Sequence, residues 1–434
     1  MFLTRFSPKN LVQKIGRYPS RIRRSLSEYR FYALFAILGP GIIAANSGNE
    51  ASGIATYSTA GADYGYTLLW SFIPMTICFI VAQEMCVRMG VVTGQGLADL
   101  IREQFGVRWT ALVMLALLVA NTGIIVAEFV GIAQASELLG VSRYISVPIT
   151  ALVIWWLVVK GTPKRVEQIF LLMSLVFLTY IISAFVAKPD WPVVARSFVT
   201  PTFSLGSGYL FTVVALIGTT ITPFMQVFVQ SSVVEKRLDT DDLNVARADA
   251  IIGVIFANLI AAFIVISTAT TLHSGGVKLE DAADAAQALA PVVGEYAKYL
   301  FAVGLFGASM LAMGVLPLAT AYSVSEALGF EKGLSRSFRE APIFLGIFTA
   351  LILIGATVAM IPGIPQIRLL LLTQCINGLL LPVILTAIVS LANNREIMGE
   401  YRNTFVFNIF AVAVTLVVSA LSLLLIGKTI TDMF

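Results

Sequence analysis

Two short polar segments interrupt long apolar stretches of this 434-residue sequence, and they hold most of the residues that could do chemistry. The first covers residues 46–53 (Asn-Ser-Gly-Asn-Glu-Ala-Ser-Gly) and includes the carboxylate of Glu50. The second covers residues 219–226 (Thr-Thr-Ile-Thr-Pro-Phe-Met-Gln) and offers hydroxyl and amide groups. A carboxylate or irregular backbone inside an apolar stretch is tolerated only where it lines a cavity or meets a partner. The two segments therefore predict a site for a polar substrate.

The composition places these segments in a membrane protein. Asp, Glu, Lys and Arg make up 12% of the chain, the hydrophobic residues 58%, and the mean hydropathy is +0.87, whereas soluble domains carry about 25% charged residues. This excludes a water-soluble enzyme and a nucleic-acid-binding protein. A single histidine, His273, and three cysteines in apolar runs also exclude a disulfide framework and a zinc or copper site of nitrogen and thiolate ligands.

Apolar windows recur along nearly the whole chain after residue 30. Since about 20 apolar residues cross a bilayer as a helix, they predict an all-α polytopic membrane protein with about eleven transmembrane helices. The predicted spans are residues 31–58, 66–88, 109–138, 145–160, 166–187, 207–234, 249–272, 293–327, 341–361, 366–391 and 404–426. We expect residues 1–30 to form a basic cytoplasmic arm and residues 31–434 to form a single transmembrane domain.

The distribution of Lys and Arg predicts the orientation in the membrane. Basic residues cluster within residues 5–30, where no apolar core of signal-peptide length is present, so this segment is expected to stay in the cytoplasm. With the C-terminus outside, only a few basic residues face outward: Arg143, Lys188, Arg196, Lys278, Lys298, Arg368 and Lys428. This satisfies the positive-inside rule and predicts a multi-pass protein of a prokaryotic cytoplasmic membrane.

The two polar segments fall in the first and the sixth predicted spans. In the sixth, Pro223 removes one backbone hydrogen bond at mid-span. Broken helices at matching positions are typical of an inverted repeat of helices, in which the substrate binds where the breaks meet. One break alone would be interpreted as a kink packed against its neighbours. The matching pair, with a carboxylate in one member, favours a transporter.

Six further segments carry a family pattern: residues 39–41, 60–62, 65–70, 88–103, 127–131 and 373–382. Together they resemble the NRAMP family of divalent metal transporters, and the resemblance extends over nearly the whole membrane part. It implies a LeuT-like fold, in which helices 1–5 and 6–10 are inverted repeats and helices 1 and 6 are broken. It also implies transport of a divalent metal ion by alternating access.

The chain departs from this family where the metal is bound. The family's Asp-Pro-Gly-Asn of the first helix is Glu-Ala-Ser-Gly at residues 50–53, so the carboxylate is kept and the Asn ligand is lost. The family's Met-Pro-His-Asn of the sixth helix is Thr-Pro-Phe-Met at residues 222–225, so a hydroxyl replaces the thioether. With these departures the chain is similar to the NRAMP-related magnesium transporters.

The ligands that the resemblance implies are all oxygen donors. They are the side chains of Glu50, Asn49, Thr222, Gln226 and Gln374, together with freed backbone carbonyls near Ser47 and Thr219. Mg²⁺ binds through one or two carboxylates and keeps several waters, and the small residues 51–53 leave room for a partly hydrated ion. Met225 would offer a softer ligand suited to Mn²⁺ or Fe²⁺, but we interpret it as a packing residue. We expect Mg²⁺, and also Mn²⁺, as transported substrates, and no cofactor.

Coupling of transport to protons is not expected. No predicted span contains a histidine, the one side chain that ordinarily titrates near neutral pH. Ile125 stands where metal importers of the family carry an Asp, while Glu128 is kept and Gln230 lies near the position of a family His. Glu128 and Gln230 are thus the candidates for proton transfer or for support of the metal ligands. Uncoupled flux is the simpler hypothesis, because a dication gains about 2.3 kcal/mol per charge per 100 mV of membrane potential.

Three other functions fit parts of the sequence. A proton-coupled Mn²⁺ or Fe²⁺ importer would require the ordinary ligands of the family. A non-transporting sensor on the same scaffold would explain the altered motifs, but this sequence shows no soluble signalling domain. An amino-acid symporter of this helical plan would bind a substrate carboxylate, which Glu50 would repel. The expected partners are a divalent metal ion and the lipid bilayer, with no nucleic acid and no obligate protein partner.

Overall fold

The long apolar stretches fold into long helices. The computed structural model describes residues 39–160, 178–276, 297–333, 336–362 and 366–433, together with Ile169, Leu172 and Leu279. Within these residues every regular element is a helix, which confirms the predicted all-α class. The α-helices are α1 (Pro40–Asn46), α2 (Ala51–Tyr64), α3 (Phe72–Thr93), α4 (Leu97–Phe105), α5 (Val107–Leu138), α6 (Arg143–Lys160), α7 (Leu178–Val186), α8 (Trp191–Val199), α9 (Ser207–Thr220), α10 (Pro223–Glu235), α11 (Leu243–Thr268), α12 (Ala297–Leu328), α13 (Pro342–Ala359), α14 (Gln366–Asn393), α15 (Arg395–Met398) and α16 (Phe405–Met433).

Nine helical stretches in this described part are long and apolar enough to cross a membrane. They coincide with nine of the predicted spans, with ends that differ by at most eight residues. The first predicted span starts at residue 31, outside the described residues, and its remainder forms α1 and α2. Most of the fifth predicted span, residues 166–187, also lies outside them, and α7 is its described end. The predicted arm at residues 1–30 is likewise outside the described residues.

Large apolar side chains cover the outer faces of these helices. Trp109 on α5, Leu152 on α6 and Phe405 on α16 are 66%, 65% and 81% exposed. Extended apolar surface of this kind marks contact with a membrane or another apolar partner. The polar groups of the two breaks lie on the opposite side, in the interior of the molecule.

The first broken helix consists of α1 and α2, and its first half packs closely against α11. A Cβ on Gly41 would lie 2.5 Å from the Ala250 Cα, and one on Gly253 would lie 2.6 Å from the Ile42 Cα. Only glycine allows the two backbones to approach to this distance. At the same contact the backbone N–H of Gly41 donates to Asp249 Oδ2 at 2.7 Å, so a carboxylate on α11 caps the start of α1.

The second broken helix consists of α9 and α10, and its first half packs against α14. A Cβ on Gly218 would lie 2.6 Å from the backbone nitrogen of Gly378, and one on Gly378 would lie 2.5 Å from the carbonyl oxygen of Val214. The two helices therefore approach each other through glycine. This contact brings Gln374, one turn before Gly378 on α14, to the level of the second break.

Candidate metal site

The first break places a carboxylate at the start of a half-helix. Helix α1 ends at Asn46, a turn covers residues 47–50, and α2 begins at Ala51. Glu50 is the residue that precedes α2, with the extended backbone (φ −66°, ψ 177°) that is typical of this position. Its side chain is completely buried, as expected for a carboxylate aimed into a site.

Glu50 has protein partners for only one of its carboxylate oxygens. Its Oε1 accepts from Gln374 Nε2 at 2.5 Å and from Ser52 Oγ at 3.2 Å. Its Oε2 is buried and has no hydrogen-bond partner among the described residues. A buried carboxylate oxygen without a partner is costly, so Oε2 is the atom through which Glu50 can bind a cation.

The second break lies between Thr220, the last residue of α9, and Pro223, the first residue of α10. Proline is favourable at the first position of a helix, because its missing N–H would have no partner there. The Thr222 hydroxyl donates to the carbonyl oxygens of Gly218 at 2.9 Å and Thr219 at 3.0 Å. Gln226, one turn into α10, is completely buried, and neither its amide oxygen nor its amide nitrogen has a partner in the described part of the chain.

The structure brings the two breaks into contact, as the sequence predicted. The Thr219 hydroxyl donates to the carbonyl oxygen of Gly48 at 3.3 Å, and the methyl group of Met225 also lies against Gly48. The hydroxyl groups of Tyr57 and Thr220 are 3.3 Å apart. Each of these contacts joins the first broken helix, which carries Glu50, to the second.

Two of the predicted ligand residues use their side chains to bond to backbone carbonyls, one in α1 itself and one in α11. The Ser47 hydroxyl donates to the Ala44 carbonyl at 2.6 Å, and the Asn49 amide donates to the Ala257 carbonyl at 3.2 Å. In this arrangement the side chains of Ser47 and Asn49 hold the turn in place. The groups left to bind an ion are Glu50 Oε2, the Gln226 amide and the backbone carbonyls of the two breaks.

Glu128 of α5 is a predicted candidate for proton transfer or ligand support, and the structure places it at the start of α2. Its Oε2 accepts from the backbone N–H of Ala51 at 2.9 Å, and its Oε1 accepts from the backbone N–H of Ser52 at 3.2 Å and from Ser52 Oγ at 2.8 Å. Since Ser52 Oγ also lies 3.2 Å from Glu50, Glu128 and Glu50 share one hydroxyl group. Glu128 therefore fixes the geometry of the break.

Gln230, the other predicted supporting residue, lies further along α10. Its Nε2 donates to the carbonyl oxygen of Gln95 at 3.0 Å, and its Oε1 has no partner among the described residues. Gln226 and Gln230 are four residues apart and therefore lie on one face of α10. Gln230 belongs to a contact between α10 and the α3–α4 connection.

Sequence reasoning did not find three groups that shape the site. The Gly48 carbonyl is a backbone group and gives no signal in the sequence. The Ser52 hydroxyl was interpreted only as a small group. Asp249, which caps α1, is the first residue of a predicted apolar span. A carboxylate at such a position needs a partner, so its presence in the sequence could have indicated a cap of this kind.

The chemistry of the site is that of oxygen ligands around one or two carboxylates. The described part of the chain contains no group of three or more His, Cys, Asp or Glu side chains that could hold a metal ion. Glu50, Thr222, Gln226 and Gln374 are all buried. These groups offer oxygen ligands for a cation, and the four side chains are closed to solvent in this conformation.

Comparison with known families and proteins agrees with this architecture. A model of the family described as "Natural resistance-associated macrophage protein-like" (Nramp) matches residues 41–428. The chain is 26% identical over 405 residues to a protein of Deinococcus radiodurans named divalent metal cation transporter MntH, with 90% of this chain and 89% of that protein covered.

Solved structures show the same fold. The crystal structure of a manganese transporter of Eremococcus coleocola, in complex with an aromatic bis-isothiourea substituted compound, superimposes with a TM-score of 0.74 at 19% identity, over 93% of this chain and 88% of that chain. Mhp1, a nucleobase-cation-symport-1 family transporter in a closed conformation, superimposes with a TM-score of 0.56 at 13% identity, over 92% and 93% of the two chains. The fold is therefore LeuT-like, as the sequence predicted.

Proposed function

Because this chain belongs to the Nramp family, we propose that it is a divalent metal cation transporter whose preferred substrate is Mg²⁺, with Mn²⁺ also carried. The observation that carries this proposal is the buried Oε2 of Glu50, which has no partner among the described residues and belongs to the first of two broken helices that touch. The relatives that support metal transport are proteins named for divalent metal cations or for manganese. The preference for Mg²⁺ comes from the donor set of this chain.

The donor set favours a hard, partly hydrated ion. Glu50 Oε2 and both polar atoms of the Gln226 amide lack partners among the described residues, and the hydroxyl of Thr222 stands at the position of the family's thioether. Oxygen ligands suit Mg²⁺ and Mn²⁺, whereas a thioether would favour the softer ions. The buried Gln226 amide, with both polar atoms free of protein partners among the described residues, is suited to hold water molecules of the ion.

Transport is proposed to be uncoupled from protons. Glu128, the one acidic residue kept from the family's third helix, accepts three hydrogen bonds at the start of α2. Protonation of Glu128 would replace an acceptor by a donor there and would disturb the turn that carries Glu50. A residue used in this way is a poor proton carrier during transport.

The proposed setting is a multi-pass protein of a prokaryotic cytoplasmic membrane, with the N-terminus inside and the C-terminus outside. Nine membrane-length helical stretches among the described residues support the multi-pass part. The excess of Lys and Arg in the loops on the N-terminal side supports the orientation. The partners are the divalent ion and the bilayer, and no cofactor takes part.

A proton-coupled Mn²⁺ importer is the second candidate, and one observation favours it. The methyl group of Met225 lies against Gly48, so the thioether of Met225 is close to the first break. If its sulfur reaches the ion, the site becomes one for a transition metal. The experiment below separates the two functions.

The test is Mg²⁺ uptake into proteoliposomes that contain a Mg²⁺-sensitive dye, at a fixed membrane potential. Wild-type protein is expected to show saturable Mg²⁺ entry, and Glu50→Gln is expected to abolish it, because the amide removes the charge of the proposed carboxylate ligand. Glu137→Gln is the matched control, since Glu137 pairs with Arg143 at 2.6 Å on the surface and should leave uptake unchanged. Near-normal Mg²⁺ entry with Glu50→Gln would remove the site assignment. Entry of Mn²⁺ but not Mg²⁺ would establish the second candidate.

A further inference from the structure

A buried carboxylate contacts α10 between the metal site and the Glu235 end of that helix. Glu326, near the end of α12, has a completely buried side chain. Its Oε1 accepts from the hydroxyl of Ser231 on α10 at 2.7 Å. Its Oε2 accepts from the backbone N–H of Ala98, in the first turn of α4, at 3.2 Å. One carboxylate therefore joins three helices.

The position of this contact relative to the site follows from helix geometry. At 1.5 Å per residue, Ser231 lies about 12 Å further along α10 than Pro223, which borders the metal site. An ion that leaves Glu50 toward the Glu235 end of α10 has to pass this level. The Gln226 amide and the Oε1 of Gln230 lack partners in the described part of the chain, and the two residues lie on one face of α10.

Basic residues keep the Glu326 carboxylate compensated. Lys332 Nζ lies 3.2 Å from Glu326 Oε1 and also bonds to Asp99 of α4. Arg102 donates to the backbone carbonyl of Glu326 at 2.9 Å and lies 3.5 Å from Asp99. Gly96 lies so close to the Glu326 carboxylate that a Cβ there would overlap it. These groups all belong to α4, its preceding loop or the residues after α12, so they hold Glu326 without help from α10.

Side-chain hydrogen bonds attach α10 to α12 and to the α3–α4 connection, and one of them, from the Tyr322 hydroxyl to the Glu235 carboxylate, lies beyond this cluster at the end of α10. Ser231 supplies one hydrogen bond to Glu326, and Gln230 supplies another to the Gln95 carbonyl at 3.0 Å. If α10 moves away, Glu326 keeps Lys332 and the Ala98 amide, so no buried charge is left without compensation. A contact of this kind can open and close reversibly, because Glu326 keeps Lys332 and the Ala98 amide as partners whether or not Ser231 is bound to it.

We propose that Glu326 is the gate residue on the exit side of the transporter. While its carboxylate accepts the Ser231 hydroxyl, α10 stays against α4 and α12, and the ion cannot leave Glu50 past the Glu235 end of α10. Release requires Ser231 to part from Glu326. The inference rests on the proposed transport function for its direction, and with the proposed orientation the exit side is the cytoplasm.

The test measures how often α10 separates from its neighbours, with a buried cysteine reporter two residues after Ser231 on the same helix. Cys78, Cys86 and Cys375 are first replaced by Ala, and Val233→Cys is then introduced. Val233 is 2% exposed and packs close to Gly90 of α3, so its thiol reacts only when α10 separates from α3. The rate of labelling by a charged methanethiosulfonate is measured by mass spectrometry on the purified full-length protein.

Ser231→Ala and Glu326→Gln are each expected to speed labelling by about tenfold, the effect of losing one hydrogen bond to a charged group. Ser231→Ala removes the same hydrogen bond from the other side by deleting only a hydroxyl group. It therefore tests the gate even if Glu326→Gln does not fold. Mg²⁺ binding by calorimetry should be unchanged in Ser231→Ala, because the Glu50 site is intact; a purely structural defect would weaken it.

Glu84→Gln is the matched control. Glu84 is also a buried carboxylate in an ion-pair cluster, but its partners are Arg88 of α3 at 3.0 Å and Arg247 of α11 at 2.7 Å. The Glu84→Gln substitution should therefore leave the labelling rate unchanged. Equal labelling in the parent, Ser231→Ala and Glu326→Gln proteins, with Mg²⁺ bound by all three, would overturn the gate and leave the proposed function standing. Faster labelling with no Mg²⁺ binding by any protein, the parent included, would support the gate and overturn the proposed substrate.

Discussion

At the scale of single residues, the site depends on how the two oxygens of Glu50 are used. The bond from Gln374 to Oε1 fixes the rotation of the carboxylate and leaves Oε2 without a partner among the described residues. Gln374 is therefore a positioning residue for Glu50. The carboxylate could be predicted from the sequence, because a lone Glu in an apolar stretch is costly. Its fixed orientation could not, because Gln374 is 324 residues away along the chain.

Met225 is the residue near the two breaks whose thioether could make the site favour softer ions such as Mn²⁺ or Fe²⁺ over Mg²⁺. We predict that its sulfur is not a ligand. Met225→Leu should leave the ratio of Mn²⁺ to Mg²⁺ affinity unchanged, since Leu fills a similar volume without sulfur. The measurement is competition between the two ions in equilibrium binding to the purified protein. Thr222→Met is the positive control, because it places a thioether where the family has one, and it should raise that ratio by about tenfold. A fall in Mn²⁺ affinity with Met225→Leu would show that the sulfur binds the ion.

At the scale of helices, the two breaks are fixed by groups from other helices. Glu128 on α5 accepts from the first amides of α2, and Asp249 on α11 accepts from the first turn of α1. The sequence predicted where the helices break, because Glu50 and Pro223 are poorly tolerated inside a membrane helix. It did not predict these caps, since they join residues 76 to 208 positions apart. Local sequence therefore locates a break, and tertiary contacts set its shape.

Gly53 tests how tightly the break is held. A Cβ at this position would overlap the carbonyl of Gly48 and lie 2.9 Å from Thr219 Oγ1, so Gly53→Ala has to push the two breaks apart. We expect loss of Mg²⁺ binding together with a destabilisation of about 1–3 kcal/mol, the usual cost of overpacking. Calorimetric titration and thermal unfolding in detergent measure the two effects.

Gly346→Ala is the control for this substitution. Gly346 is also in a helix, α13, and a Cβ there would meet nothing within 4 Å. Its exchange should keep Mg²⁺ binding and raise stability slightly, by about 0.5–1 kcal/mol, because alanine is the better helix former. Retained Mg²⁺ binding in Gly53→Ala would show that the breaks can separate without loss of the site.

At the scale of the whole molecule, the membrane helices could be predicted almost completely. Apolar length alone gave the nine spans that the described residues show, because the bilayer imposes one length and one hydropathy on every span. The pairing of the helices depends on glycine contacts such as Gly41 on Ala250 and Gly218 on Gly378. The resemblance to a family implied this arrangement. The spacing of glycines along the chain did not predict it, because some helical glycines, such as Gly346, make no close contact with another helix.

Uncoupled transport predicts that the membrane potential alone can accumulate the ion. At 100 mV, inside negative, a dication gains about 4.6 kcal/mol, which corresponds to roughly a thousandfold accumulation or more. Proteoliposomes with a potassium diffusion potential and no pH gradient should therefore concentrate Mg²⁺. An internal pH dye should show no acidification that depends on Mg²⁺. Mg²⁺-dependent acidification that is lost with Glu128→Gln would establish proton coupling.

The capping of α2 by Glu128 also has an electrostatic consequence. The backbone dipoles of a helix add up to about half a positive charge at its N-terminus and half a negative charge at its C-terminus. In the first broken helix, the end of α1 therefore presents its negative pole to the site, while the start of α2 presents a positive pole that would repel a cation. The carboxylate of Glu128 lies on that positive pole, 2.9 Å from the Ala51 nitrogen. Its negative charge compensates the positive pole at the start of α2, which would otherwise repel a metal ion. Neither half of the broken helix then opposes the binding of a cation at Glu50.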